Sequence, residues 1–216
     1  MATHSEIDGP NGSRAWYERV DMSYPDNSYN PVEKFRDVVI GQILPIVQRS
    51  DKENDVVINL GSLKGKWIKE IVEVLSPKKL VCVDMMTTFF EHLENTFVFE
   101  DTKLEFVTTR GNELSKIESG TVDCIISFDA LTVGLSDQDV VKYIKEFRRV
   151  LKTGGKALIH FAICQAKEEG SLDSPFEKQY ENLKISRVGG FGFVPEKSQF
   201  ILFQKLGSDP SVWKCM

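Results

Sequence analysis

The sequence contains no apolar run long enough to cross a bilayer, so no membrane span is expected. Its first residues, Met1-Ala-Thr-His-Ser-Glu6, lack both the basic head and the apolar stretch of a secretory signal. Cysteine is scarce: the four residues Cys82, Cys124, Cys164 and Cys215 show neither C-x-x-C nor any other metal-ligand spacing. No metal site is expected, and a reducing compartment fits best. Positive charge is also short, with 27 Lys and Arg against 32 Asp and Glu, a net charge of −5. Nucleic-acid affinity rests on cationic contacts to phosphates, so nucleic acid is not an expected partner. The lysines that do cluster, Lys64, Lys66, Lys78 and Lys79, stand near glutamates and read as a solvated face.

Histidine is rarer still, at three residues. His160 falls inside an apolar run, where a satisfied core histidine is the ordinary reading, and His92 lies between Glu91 and Glu94 on a polar face. Neither joins a Ser or Cys in a recognisable nucleophile motif. The G-x-G-x-x-G of nicotinamide-dinucleotide binding is missing too, because Gly61-Ser-Leu-Lys-Gly-Lys66 does not supply it. The protein is expected to be soluble and cytoplasmic.

What is present is a length of 216 residues with 41% hydrophobic and 27% charged residues, enough for one domain with a substantial core. Residues 1–30 are rich in Gly, Pro, Asn, Ser and Asp around Trp16, Tyr17, Tyr24 and Tyr29, and read as a partly disordered arm or lid. Residues 31–216 read as the domain proper. Pro31 opens a helical pattern carried by Val32, Phe35, Val39, Ile43 and Ile46, which Pro45 should kink or end. Strands are expected at 55–60, 80–84, 103–108, 122–128 and 156–163, and helices at 65–75, 86–97 and 136–151, with a short one near 113–118. Unbroken runs such as Val56-Val-Ile58 and Cys124-Ile-Ile126 suit strands covered on both faces, as in a parallel sheet between helices. Ser136-Asp-Gln-Asp139 reads as a capping box, and Lys152-Thr-Gly-Gly155 as a glycine stop to the same helix. Beyond residue 164 a helix near 174–183 precedes strand-like runs at Lys184–Val194 and Ser198–Lys205. Their short connection requires an antiparallel pair.

The densest signal is Asp55-Val-Val-Ile-Asn-Leu-Gly-Ser-Leu-Lys-Gly-Lys-Trp67 followed by Leu80-Val-Cys-Val-Asp84. A buried strand, a glycine turn, a helix and a second strand ending in an acid put a backbone turn and a carboxylate on one crevice edge. That is where a ribose-bearing ligand sits in an open α/β sheet.

These residues resemble the class I S-adenosylmethionine-dependent methyltransferases, and the likeness spans roughly residues 32–205. It is carried by Val56-Val-Ile-Asn-Leu-Gly-Ser-Leu-Lys-Gly65, Val81-Cys-Val-Asp84, Thr109-Arg-Gly-Asn-Glu-Leu114, Gly120-Thr-Val-Asp-Cys-Ile-Ile-Ser-Phe-Asp-Ala-Leu131 and Glu146-Phe-Arg-Arg-Val-Leu-Lys-Thr-Gly-Gly-Lys156. The resemblance implies a Rossmann-like α/β fold: a seven-stranded, mostly parallel sheet in the order 3-2-1-4-5-7-6, strand 7 antiparallel, with helices on both faces. It implies S-adenosylmethionine as cofactor, held by Asn59, Gly61, Ser62, Gly65, Asp84, Met85, Asn112, Glu113 and Phe128. Gly61 and Gly65 would admit the methionine and ribose portions, Asp84 would accept from the ribose hydroxyls, and residues 110–114 would meet the adenine. Asp129, at the fourth strand tip, is the candidate catalytic group, orienting a nucleophile or acting as base. A loop-capping role is the alternative for that residue.

Three positions depart from the family pattern. Asn59 and Asn112 replace its usual acids, and Leu63 replaces its middle glycine. An amide oxygen still accepts a hydrogen bond but without the charge that strengthens it. The D/N-P-P-Y motif of nucleic-acid amino methyltransferases is replaced by Ser127-Phe-Asp-Ala130. The expected activity is therefore methyl transfer to a small molecule or a protein side chain. The alternative is a catalytically silent relative, kept as a binding or regulatory subunit for a protein partner.

Overall fold

A computed structural model of the chain describes residues 36–48 without 38, 55–162 without 63, 129 and 132–136, and 198–205 and 213–215. The strands are β1 (Val56–Leu60), β2 (Lys79–Asp84), β3 (Lys103–Thr108), β4 (Val122–Phe128), β5 (Leu151–Ala162), β6 (Ser198–Lys205) and β7 (Trp213–Cys215). The helices among them are α1 (Ile68–Leu75), α2 (Phe90–Thr96, after a 3-10 turn at Thr87–Phe89) and α3 (Asp137–Val150). One seven-stranded sheet forms in the order β3-β2-β1-β4-β5-β6-β7. β1 to β5 pair in parallel, β6 is antiparallel to β5, and β7 is antiparallel to β6.

The apolar strand runs explain the layering. All seven residues of β4 are buried, as a central strand covered on both faces must be. On one face Ile58, Leu60, Val83 and Ile125 pack with Ile144, Phe147 and Val150 of α3. On the other, Val57, Leu80, Cys82 and Ile126 pack with Ile68 and Ile71 of α1, Leu93 of α2, and Val39, Ile43 and Leu44. The last three lie in an N-terminal helical segment made of a wide π turn (Val39–Ile43) and a 3-10 turn (Leu44–Val47). Pro45 fits within that 3-10 turn, and the chain is extended again at Gln48, so the proline does end the helix. Glu70 on the buried face of α1 is held by Arg36 at 2.6 Å. The sheet order reverses between β1 and β4, which opens a crevice at the carboxyl ends of those strands.

Several expectations are corrected. No helix forms over 113–118; Ile117 N–H donates to the Leu114 carbonyl in a single turn, and that loop is tied to α3 instead. The 65–75 helix starts only at Ile68, because Gly65 to Trp67 turn the chain. Lys152-Thr-Gly-Gly155 does not cap α3. The chain passes directly from Val150 into β5, and the pairing shifts from Val122↔Leu151 to Cys124↔Lys156. The glycines thus serve a bulge, with Gly154 at φ +80°, where an L side chain is disfavoured. The antiparallel Ser198–Lys205 strand lies beside β5, the place of strand 7 in the expected order; along the described chain it counts as β6, and the unforeseen Trp213–Cys215 pairs with it at the edge. The expected strand at 184–194, the helix near 174–183, the arm over 1–30 and the cap residue Ser136 lie outside the described residues.

Candidate functional site

Backbone hydrogen bonds stitch the tips of three strands into one rim. Gly61 N–H donates to the Val83 carbonyl at 2.8 Å, and Thr109 N–H donates to the Asp84 carbonyl at 3.0 Å. Asp84 is therefore flanked by the glycine turn on one side and by the loop after β3 on the other. The residue is 7% exposed, and its Oδ1 accepts from Met86 N–H at 2.9 Å. Asp84 is thus no surface position. Its replacement by alanine strands a backbone donor, a loss of about 1–3 kcal/mol. Met85, between them, is half-buried.

The glycine turn is closed by Gly65 N–H to the Ser62 carbonyl (2.8 Å) and by Ser62 Oγ donating to the Asn59 carbonyl (3.0 Å). Gly61 and Gly65 have φ +82° and +84°, so glycine is required at both. A Cβ on Gly61 would overlap that of Ala130, and one on Gly65 would meet Phe97 Cε2 at 2.5 Å. The close approach each glycine permits is, on that side, an approach by the chain itself. Asn59 is 2% exposed, and its Nδ2 has no partner among the described residues. It shares a sheet face with Val57, on the α1 side. Phe128 at the β4 tip is buried against Trp67, with ring centroids 4.7 Å apart, and stands 6.5 Å from the His160 ring. His160 is buried on the same face, as the core reading expected. The candidate Asp129 and Leu63 both fall outside the described residues.

The loop after β3 is held by one polar stripe of α3. Asn112 Nδ2 donates to Asp139 Oδ1 at 3.0 Å, and Leu114 N–H donates to Glu146 Oε2 at 2.9 Å. Arg149 donates to the carbonyls of Leu114 and Ile117 and to Ser119 Oγ. Thr109 Oγ1 gives its single proton to the Glu113 carbonyl at 2.6 Å, so Tyr143 must be the donor in its 3.2 Å contact with Thr109 Oγ1. Glu113 itself is half-buried, and its carboxylate lies 3.9 Å from Arg110. Residues 139, 143, 146 and 149 recur at helical spacing on one face. Sequence reasoning met Asp139 only as a capping-box residue and missed the stripe as a support for the loop, although that spacing was the signal of a shared face. Arg149 hydrogen-bonds to Glu146 and holds its carboxyl below the usual glutamate range, outweighing burial. Burial pushes the Cys82 thiol, beside Asn59 in the sheet, up to about 12.

Residues 57–155 match a family model described as "Methyltransferase domain". Over these residues, somewhat under half of the chain, the sequence is similar to methyltransferase domains. Comparison of the chain with curated proteins gives no match. Solved structures extend the likeness beyond the matched residues. A chain of a complex containing the Haloferax volcanii Trm112 methyltransferase activator is 13% identical, with 91% of this chain and 99% of that one covered at a TM-score of 0.59. A SAM-dependent methyltransferase from Aquifex aeolicus is 12% identical, with 81% and 98% covered and a TM-score of 0.53. Phosphoethanolamine N-methyltransferase 1 of Haemonchus contortus, in complex with phosphoethanolamine and S-adenosylhomocysteine, is 16% identical, with 80% and 35% covered and a TM-score of 0.53. At such identities the likeness is one of fold. Within the matched residues, Asn59 to Ser62, Gly65, Asp84 to Met86 and Thr109 to Leu114 lie along the strand-tip rim. No helix among the described residues is long and apolar enough to cross a membrane.

Proposed function

We propose that the protein is an S-adenosylmethionine-dependent methyltransferase that acts in the cytoplasm on a small molecule or a protein side chain. The observation that carries this reading is Asp84: a buried carboxylate at the crevice where the sheet order reverses, beside a glycine turn. One oxygen is fixed by Met86 N–H, which sets the orientation of the group before any ligand arrives. A carboxylate of this kind suits a ribose diol, since both hydroxyls can donate to it.

The other residues fit in part. Asn59 offers an amide donor in place of the family's acid, and a donor suits the carboxylate of the cofactor's methionine portion better than its ammonium. Asn112 keeps an acceptor oxygen on the loop beside Asp84. When bound, the cofactor supplies an electrophilic methyl group. The chain's own residues hold the ribose, exclude water around Phe128 and Trp67, and position the acceptor, a role we assign to Asp129.

One observation favours the silent relative as a second reading. The positions opened by Gly61 and Gly65 are filled by Ala130 and Phe97 rather than left for a ligand. Under that reading the crevice is a remnant and the protein serves a protein partner; one of the similar folds comes from a complex with a methyltransferase activator. Calorimetric titration with S-adenosylhomocysteine separates the two. The enzyme reading expects saturable binding tighter than millimolar, weakened about tenfold or more by Asp84→Asn. Asparagine keeps an oxygen for Met86 N–H, so folding is preserved while one ribose acceptor becomes a donor. No heat of binding at millimolar ligand would leave only the second reading.

A further inference from the structure

Asn112 is half-buried in the loop beside Asp84, and its amide can in principle face a ligand with either end. The structure decides which. Asp139, in the first turn of α3, presents Oδ1 to the Asn112 side chain at 3.0 Å. An ionised carboxylate can only accept, so the atom facing it must be the nitrogen. The amide oxygen is then the end left for other partners. Lys142 Nζ lies 3.4 Å from the same Asp139 oxygen. The chain on both sides of Asn112 is fastened to the same helix, by backbone atoms at Leu114 and by a side chain at Thr109. Leu114 is gripped by Glu146 and Arg149, and Thr109 by Tyr143. The amide therefore has one orientation on a fixed support.

We propose that Asp139 is a positioning residue for base recognition: by holding Nδ2 of Asn112, it makes the loop an acceptor for the exocyclic amine of adenine. This rests on the cofactor reading above. It adds a residue from a different element and a specific consequence, discrimination by the amino group. A donor at C6 of the base is matched, whereas a carbonyl there, as in hypoxanthine, faces an acceptor and is rejected. The usual acid of the loop is thus replaced by an amide whose direction is set from behind.

The test compares S-adenosylhomocysteine with S-inosylhomocysteine, titrated by calorimetry into the wild-type chain, Asp139→Ala and Asp139→Asn. Wild type should prefer the adenosyl ligand by about tenfold, the worth of one matched against one mismatched hydrogen bond. In Asp139→Ala the amide is free to turn, so it can offer Nδ2 to hypoxanthine. The preference should shrink toward unity, with inosyl affinity held or raised. Asp139→Asn, which keeps an acceptor oxygen, should retain most of the preference. It also serves as the folded control if the alanine variant is unstable. A merely structural role would lower both affinities together and leave their ratio unchanged. An unchanged ratio in Asp139→Ala, or in an unstable variant's stead a lost ratio in Asp139→Asn, overturns the proposal while leaving the cofactor reading intact. Failure of the wild-type chain to bind either ligand overturns both.

Discussion

Gly61→Ala should be among the most damaging single substitutions in the domain, and the reason can be divided into two parts. The residue has φ +82°, where an L side chain costs about 1–2 kcal/mol. The added methyl also overlaps the side chain of Ala130, which comes from the loop after β4. Forcing an extra carbon into a packed contact costs about 1–3 kcal/mol. Together these give a loss of about 2–5 kcal/mol, a large fraction of a typical domain's stability. The parts separate in an Ala130→Gly background, where the overlapping methyl is gone and only the backbone cost of about 1–2 kcal/mol remains. Urea denaturation of the four proteins closes a double-mutant cycle, and the coupling should be about 1–3 kcal/mol in the rescuing direction. If Gly61→Ala costs the same in both backgrounds, the β1 turn does not rest on Ala130. The closure of that side of the crevice would then be wrong.

Two further outcomes follow from the same geometry. Because Arg149 holds the Glu146 carboxyl below the ordinary glutamate range, the folded chain binds that proton less readily than the unfolded one. Its contribution is complete above the ordinary range and is lost as pH falls through the lowered folded value. Urea midpoints of wild type and Glu146→Gln should therefore differ at neutral pH and converge on acidification; a gap that widens in acid contradicts the clamp. Cys82 and Cys124 are buried, with their thiols pushed up by loss of solvation. Mass-spectrometric mapping after alkylation at pH 8 should find both unmodified in the native chain and modified in urea.

Much of this fold was legible because its central strands need no periodicity to be recognised. Val56–Leu60, Lys79–Asp84 and Val122–Phe128 are apolar runs of strand length, and burial on both faces is what such runs demand. Asp84 was legible for a related reason, since an acid ending such a run must sit at a strand tip. Its burial was not, because that depends on the β3 loop packing beside it. Lys152-Thr-Gly-Gly155 misled because glycines after a helix fit a helix stop and a strand bulge equally well. Only the pairing with β4 decides between them. The three residues of β7 are too few to show any pattern. The α3 stripe was hidden differently. Asp139 read as the end of a capping box and Glu146 and Arg149 as part of the family likeness; their spacing shows a shared face but not that the loop after β3 lies against it.

A crystal structure of the chain with S-adenosylhomocysteine bears most directly on the role given to the β2 tip. Both ribose hydroxyls should lie within hydrogen-bonding distance of the Asp84 carboxylate, with the base over residues 109–114. A ligand seated elsewhere, its sugar not touching Asp84, would contradict the site as drawn.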